Sequence, residues 1–443
     1  MFLNFLFLFF FNFFYSNNQE KFLIESKKKS SSENIINIFN QEFEKINICF
    51  SYENSNELIP DYSIFSEIFK ALKIGGEIKF FNFKKNNNFK LKEIFKKLKN
   101  EKIYFYIIFF ENENFFSWKI YSVFDEKFIE WKNYSKKNKN FDFILDLKRI
   151  ICSDIWKVLF GSEVTPFDSF LLYSKDFYEN DKKYSSIFST QPFFSKNIKT
   201  QIKTNRIIVD LRVINNEESS FLTFSEITKK NVRIVKLKKN GNLSIIIDLP
   251  GTSTSLCNSE NGLFYVRSSN IYYCYYESKT KRFIHQKIND NKNDIIASVC
   301  EGPENSILCA KNYKIYKINF EKDNDGKIIK TKEQLICPKD SISMGITYTK
   351  LSDNFITTEK IGNFYQLFSY DKKNLKRVQI TNSNYSKNEI SISPCGCYIA
   401  YTVINNLNKK KRIEIMNLYT KKIIKLTDEE NRYISPVWIL KKN

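Results

Sequence analysis

"EISISPCGCYIAYTVINNLNKKKRIEIMNLYTKKIIKLT", Glu389 to Thr427, decides the fold. Strand-length runs rich in Ile, Val and Tyr are parted by short polar turns. Ser393-Pro394-Cys395-Gly396 reads as a β-turn, with Gly396 where a positive φ is needed and Cys397 opening the outgoing strand. Two thiols on one turn supply two metal ligands at most, and no other Cys or His motif offers a third. The turn reading therefore outweighs a metal or redox one.

The same form recurs upstream. "GLFYVRSSNIYYCYYESKTKRFIHQKI" and "NFITTEKIGNFYQLFSYDKKNLKRVQIT" each give a strand, a polar turn, a second strand, a Lys/Asn/Thr turn and a third strand. A shorter strand precedes each copy: "TSLCNSEN", "GITYTKLSDN" and "EISISPCG". Four strands in roughly 40–45 residues is the repeat of a β-propeller blade. From Pro166 onward the hydrophobic period stays at two with no helical interruption, which leaves room for about six such units.

Before Pro166 the pattern is mixed. "KINICFSY" and "KIYFYIIFF" read as strands, "FFSWKIYSVFD" with "KFIEWKNYS" as a hairpin, and Lys90–Asn100 as a helix. Asp61–Lys73 carries a helical apolar face between an Asp/Ser cap and a Gly-Gly stop. A further helix over Phe143–Gly161 ends on a glycine. The expected fold class is an α/β N-terminal domain followed by an all-β six-bladed β-propeller, with residues 19–161 in the first and 162–443 in the second.

A chain of 443 residues with 42% hydrophobic and 16% aromatic content has ample material for more than one core. Its net charge of +21 invites a nucleic-acid reading. Lysine, however, is dispersed alongside Asn, Ile and Phe, the set an A/T-rich genome favours, and arginine forks for phosphate are scarce. No nucleic-acid partner is expected. Residues 1–15, "MFLNFLFLFFFNFFY", are too short for a membrane span and suit the apolar part of a signal peptide, so residues 1–18 are expected to be a leader. The nine cysteines are an odd count, so at least one would stay unpaired in an oxidising compartment.

The turn at Ser393–Gly396 and the "YIAY" strand after it resemble the Ser-Pro-Asp-Gly repeat of the TolB family, the periplasmic propeller proteins of the Tol-Pal system. The likeness extends to "QEKFLIE" (Gln19–Glu25), to "SEIFKALKIGGEIKFFN", to the junction "CSDIWKVLFGSEVTPFDSFLLYS", and to "RIEIMNLYTKKIIKLT" and "RYISPVWIL". Between residues 187 and 340 the signature has eroded to "NSENG" and "GPENS", and just beyond, at 350–354, to "KLSDN". The resemblance implies a monomeric, non-enzymatic periplasmic adaptor, peripheral to the envelope, supporting outer-membrane integrity and cell division. It implies that a Pal-like lipoprotein binds the propeller mouth, at loops corresponding to Thr252, Ser253, Thr254, Asn293, Asp294, Ser343, Asn388, Glu389, Arg432 and Tyr433. It also implies that a TolA-like inner-membrane protein engages the N-terminal segment, Gln19, Glu20, Lys21, Phe22 and Leu23.

Catalytic signals are weak by comparison. The single histidine, His285, falls in an expected outer strand, and no nucleophile elbow or phosphate loop is present. "EKDNDGKIIKTKE" imitates a calcium loop from Glu321, but its twelfth position is Lys332 where a bidentate Glu is required, so a hairpin turn is expected. No catalytic residue, metal or cofactor is assigned. Two rivals remain: a propeller scaffold of another system, and a metal-dependent lactonase-like hydrolase, for which only Asp294 and Glu389 offer carboxylates at the mouth.

Overall fold

A computed structural model describes residues 47–54, 68, 71, 72, 79–82 and, with short breaks, 91–440. Chain contacts divide it into two compact bodies, one running to Leu147 and one from Lys148 onward, the second also taking in residues 68, 71 and 72.

The first body is a five-stranded mixed sheet. β1 (Asn47–Asn54) pairs in parallel with β2 (Lys79–Asn82) on one side and β3 (Phe105–Glu111) on the other. β4 (Phe115–Ser122) and β5 (Lys127–Ser135) extend it as antiparallel neighbours, giving the order β2-β1-β3-β4-β5. Helix α1 (Leu91–Asn100) buries Ile94, Phe95 and Leu98, one narrow stripe, against Cys49, Tyr106, Ile108 and Val123. Its remaining face is lysine-rich and exposed. Of the helix expected over Asp61–Lys73, the described residues Ile68, Ala71 and Leu72 are helical and fully buried.

Helix α2 (Phe141–Phe160) spans the boundary and stops where Gly161 adopts φ +63°, its amide donating to the Lys157 carbonyl at 2.8 Å. Within the second body, a polar knot then ties the part of α2 after Lys148 to the Pro166–Asp168 turn that leads into the next strand. The Asp168 carboxylate accepts from Ser153 Oγ (2.9 Å), Thr165 Oγ1 (2.9 Å) and the Thr165 amide (3.2 Å), and pairs with Arg149 (3.3 Å). Apolar contacts beside it stack Trp156 on Phe160 and set Phe167 edge-on to Trp156 and Phe193.

From Ser169 onward the second body is built of small antiparallel sheets. Four have four strands each. They are β9 (Ile207–Asn215), β10 (Ser220–Ile227), β11 (Val232–Leu237) and β12 (Leu243–Ile247); then β13 (Ser253–Ser259), β14 (Gly262–Arg267), β15 (Asn270–Glu277) and β16 (Arg282–Lys287). The third holds β17 (Ile296–Glu301), β18 (Ser306–Lys311), β19 (Lys314–Lys322) and β20 (Ile328–Leu335). The fourth holds β21 (Ser343–Thr347), β22 (Asn354–Ile361), β23 (Phe364–Asp371) and β24 (Arg377–Gln379).

The two chain ends of this body meet in an eight-stranded sheet. It comprises β6 (Ser169–Glu179), β7 (Lys182–Thr190), β8 (Ile198–Thr204), β25 (Ser386–Ile392), β26 (Tyr398–Ile404), β27 (Lys411–Asn417) and β29 (Arg432–Leu440), with β28 (Ile423–Lys425) paired to β27. Its halves touch through one parallel pair, Lys411 with Arg432. The C-terminal strand β29 lies antiparallel beside β6, from Arg432 opposite Asp176 to Leu440 opposite Ser169.

Burial falls across each sheet. β18 is buried throughout and reads as a continuous apolar and small-residue run, whereas β20 in the same sheet is exposed along most of its length. Lys and Glu on such outer strands leave edges that resist pairing with another chain. The first strands of the sheets are neighbours in series: β9 beside β13, β13 beside β17, β17 beside β21, β21 beside β25, β25 beside β29, and β29 beside β9. These are small sheets arranged in the propeller-like manner the repeats implied. The turn that decided the fold closes as expected, with the Gly396 amide on the Ser393 carbonyl (2.8 Å) and Gly396 at φ +75°. The calcium-loop imitation is a hairpin turn, its Gly326 at φ +84° and its amide on the Asp323 carbonyl.

Candidate functional site

The loops leading into the first strands do not hang free. Backbone hydrogen bonds lace them to the turns and strand ends between second and third strands, both in their own sheet and in the sheet before. Thr252 O receives the Ser268 amide (2.9 Å) while Gly251 O receives the Val232 amide (3.1 Å). Ile342 O receives the Lys360 amide (2.8 Å), Tyr313 O the Ser343 amide (2.8 Å), and Ile295 O the Asn312 amide (2.8 Å). This lacing makes a stiff rim at one end of the second body. A rigid rim presents side chains at small entropic cost.

Charged side chains brace the rim from within. Glu226, fully buried, binds Arg206 (2.8 Å) and Arg233 (2.7 Å). Glu359, also fully buried, holds Arg377 (2.9 Å), the Tyr370 hydroxyl and Thr357. The sheet β17–β20 reverses the signs, with Lys311 between Asp294 (3.3 Å) and Glu333 (2.6 Å). Buried charges compensated in this way hold geometry more than they add stability.

Each first strand also carries a register shift near its start. At four of them a residue sits at positive φ: Asp210, Ser255, Glu389 and Ser435. Two of these are carboxylates that reach the next first strand. An Asp210 oxygen accepts the Ser255 amide, and Glu389 Oε2 accepts the Ser435 amide at 3.0 Å and the Thr402 hydroxyl at 2.7 Å. Arg212 Nε steadies Asp210 at 2.9 Å.

The residues expected at the mouth are distributed as follows. Thr252, Glu389 and Arg432 are exposed, and Thr254 is half-buried. Ser253 and Ser343 are fully buried at the strand starts, and Asn388 is half-buried. Asp294 is buried in its pair with Lys311 and accepts from Asn312 Nδ2 (3.0 Å). Tyr433 is mostly buried, edge-on to Tyr173, with Lys175 Nζ 5.6 Å from its ring centre. Asn293 and the segment Gln19, Glu20, Lys21, Phe22 and Leu23 lie outside the described residues. Glu389 is therefore a bulge-stapling strand residue as well as a surface one. Asp210 does the same work and was not singled out from the sequence; an acid interrupting the apolar run "RIIVDLRV" was its signal.

Five polar atoms on the first strands are buried without a hydrogen-bond partner among the described residues: Ser253 Oγ, Ser298 Oγ, Ser343 Oγ, Asn388 Oδ1 and Trp438 Nε1. Buried polar atoms ordinarily find a partner, so these are places for solvent or for the polar groups of a bound chain. Lys387, buried beside Asn388, donates to Ser383 Oγ (2.6 Å) and the Tyr385 carbonyl (3.0 Å). Burial pulls its ammonium down to about 8 against the opposing pull of Glu414, with Arg412 lowering it further.

His285 lies in the outermost strand β16 and meets the Tyr265 hydroxyl through Nδ1 at 3.0 Å; burial, and then Arg267, lower its pKa. None of the nine cysteines forms a disulfide. Burial pushes Cys49 and Cys300 up to about 12, which keeps them protonated. Cys397 is raised by its hydrogen bond with Cys395 and by burial. Among the described residues no group of three or more His, Cys, Asp or Glu side chains could hold a metal ion. Nor is any helix among them long and apolar enough to cross a membrane.

Small antiparallel sheets whose first strands neighbour one another in series define a β-propeller-like protein. The fold is more particularly TolB-like: the structure of TolB from Acinetobacter baumannii aligns with a TM-score of 0.67 at 14% identity, covering 94% of this chain and 99% of that one. A putative TolB from Agrobacterium tumefaciens aligns more loosely, with a TM-score of 0.39 and 11% identity over 58% of this chain and 89% of that one. A structure of the nidogen/laminin complex gives 0.46 at 12% identity over 62% and 100%. No protein-family model and no curated protein matches the sequence.

Proposed function

We propose that this chain is a non-enzymatic protein-binding adaptor of a Tol-Pal-like envelope system. In this reading residues 1–18 are a leader that sends the protein to the periplasm, 19–161 an α/β domain, and 162–443 a six-bladed propeller. The eight-stranded sheet counts as two blades because one residue pair joins its halves, and the C-terminal strand β29 closes the ring beside β6. A Pal-like lipoprotein binds the mouth at the loops that include Thr252 and Arg432, and a TolA-like protein takes the segment Gln19–Leu23. The protein supports outer-membrane integrity and cell division through those contacts.

The observation that carries the reading is the closed series of six first strands, whose starts form a laced rim and bury polar atoms without partners. Such a rim is suited to hydrogen bonding along an extended or looped partner segment. The likeness to TolB over nearly the whole chain supports the same assignment.

Calorimetric titration with the soluble domain of the organism's own Pal-like lipoprotein tests it. Thr252→Arg combined with Arg432→Gln, both exposed, is expected to weaken binding by at least tenfold, with circular dichroism checking that the fold is kept. Absence of binding to the wild-type protein, or equal binding by the variant, would refute the mouth assignment.

A further inference from the structure

Five large apolar side chains stand exposed on one arc of the rim: Ile295, Tyr313, Ile342, Met344 and Ile361. They come from two neighbouring sheets, β17–β20 and β21–β24, and the chain segments that carry them are hydrogen-bonded in series. Asn312, next to Tyr313, donates its amide to the Ile295 carbonyl and accepts the Ile295 amide on Oδ1 (2.7 Å). Tyr313 accepts the Ser343 amide, and the Ile342 carbonyl accepts the Lys360 amide beside Ile361. The segments that carry these side chains therefore run side by side along the rim. Isolated exposed apolar residues need no explanation, but a contiguous group on a rigid rim marks an interaction surface.

A second observation is conformational. Asn312 and Tyr313 are the two central residues of the hairpin turn between β18 and β19, at φ +50° and +60°. Asn-Gly is the favoured pair for such a turn, because glycine takes positive φ without penalty and an aromatic residue does not. The chain holds a tyrosine in that unfavourable conformation with its side chain 53% of the residue exposed. Folding gains little from such a placement.

The surroundings fix the chemistry of the occupant. Lys339 and Lys360 are exposed beside the patch, and the Lys314 ammonium binds the Ser341 carbonyl at its edge. Asp340 is exposed there too, whereas Asp294 is buried and already paired with Lys311. The geometry points to a docking site on this arc for an acidic partner segment that inserts apolar anchors around Tyr313 and Ile342. The inference rests on the reading of the mouth as a protein-binding surface and specifies which arc is used and what it recognises.

Selection of a random peptide library displayed on phage against the full chain tests it, with the selected peptides then synthesised and titrated by fluorescence anisotropy. The expected consensus combines Asp or Glu with Leu, Phe or Trp. Tyr313→Gly and Ile342→Ser should each weaken those peptides roughly tenfold, as truncation of a central anchor does. Tyr313→Gly should also leave the melting temperature equal or higher, because it relaxes the turn, whereas a merely structural tyrosine would lower it. A basic or purely polar consensus, or full binding by both variants, overturns the proposal. Peptides lost on Thr252→Arg with Arg432→Gln but kept by Tyr313→Gly and Ile342→Ser overturn it while leaving the mouth reading standing. Concentration-dependent dimerisation abolished by Tyr313→Gly would assign the patch to a second copy of the chain and overturn it equally.

Discussion

Lys387 offers a quantitative test of the energetics at the rim. Its side chain is 4% exposed in β25, and burial lowers its pKa from 10.5 to about 8. The unfolded chain keeps the higher value, so between pH 8 and 10.5 the unfolded state binds one more proton than the folded state. Stability must then rise with pH across that window, and the cost of burying the charge is fully present below pH 8. At about 1.4 kcal/mol per unit, the shift corresponds to about 3 kcal/mol. The two hydrogen bonds from Nζ offset part of the cost, so Lys387→Met is expected to stabilise the protein at pH 7 by about 1–3 kcal/mol. Urea unfolding followed by tryptophan fluorescence at intervals from pH 7 to 10.5 measures it. The wild-type curve should approach that of Lys387→Met as pH rises, since the difference cancels other titrating groups. Parallel curves, or a variant less stable at pH 7, would refute the reasoning.

Two further substitutions probe the scaffold. Asp168→Ala removes the acceptor shared by Ser153, Thr165 and Arg149, and should cost about 3 kcal/mol in urea unfolding, with Asp168→Asn costing less. Glu389→Ala strips the Ser435 amide of its acceptor and should cost about 1–2 kcal/mol, while Glu389→Gln keeps an oxygen there and should cost less than half of that. Equal effects of Ala and Gln would show that the staple is not a hydrogen bond.

Much of the architecture is legible in local patterns. Period-two runs with Lys/Asn turns placed the strands after Pro166 because most pairing in these sheets is between chain neighbours, so turn chemistry and register lie close together in sequence; the pairing of β29 with β6 is the exception. Helices α1 and α2 were legible from their apolar spacing and, for α2, from Gly161. The Asp168 knot was not, since Ser153, Thr165 and Asp168 look like ordinary loop and helix polar residues until the chain folds back on itself. Glu389 and Asp210 were opaque for a related reason. Each sits at a bulge, where the period-two rule fails locally, and each bonds to a strand 45 or 46 residues away. The apolar arc at Tyr313 and Ile342 was hidden because exposed and buried apolar residues look alike until the sheet positions are known.

Closure of the ring by the last strand is the claim on which the rest depends. Native-state hydrogen exchange read by mass spectrometry on peptides covering β29 and β6 measures it directly. Amides of Arg432–Leu440 should be protected as strongly as those of Ser169–Glu179, both exchanging only on global unfolding. Fast exchange in β29 with β6 and β27 still protected would show that the C-terminal strand does not close the ring.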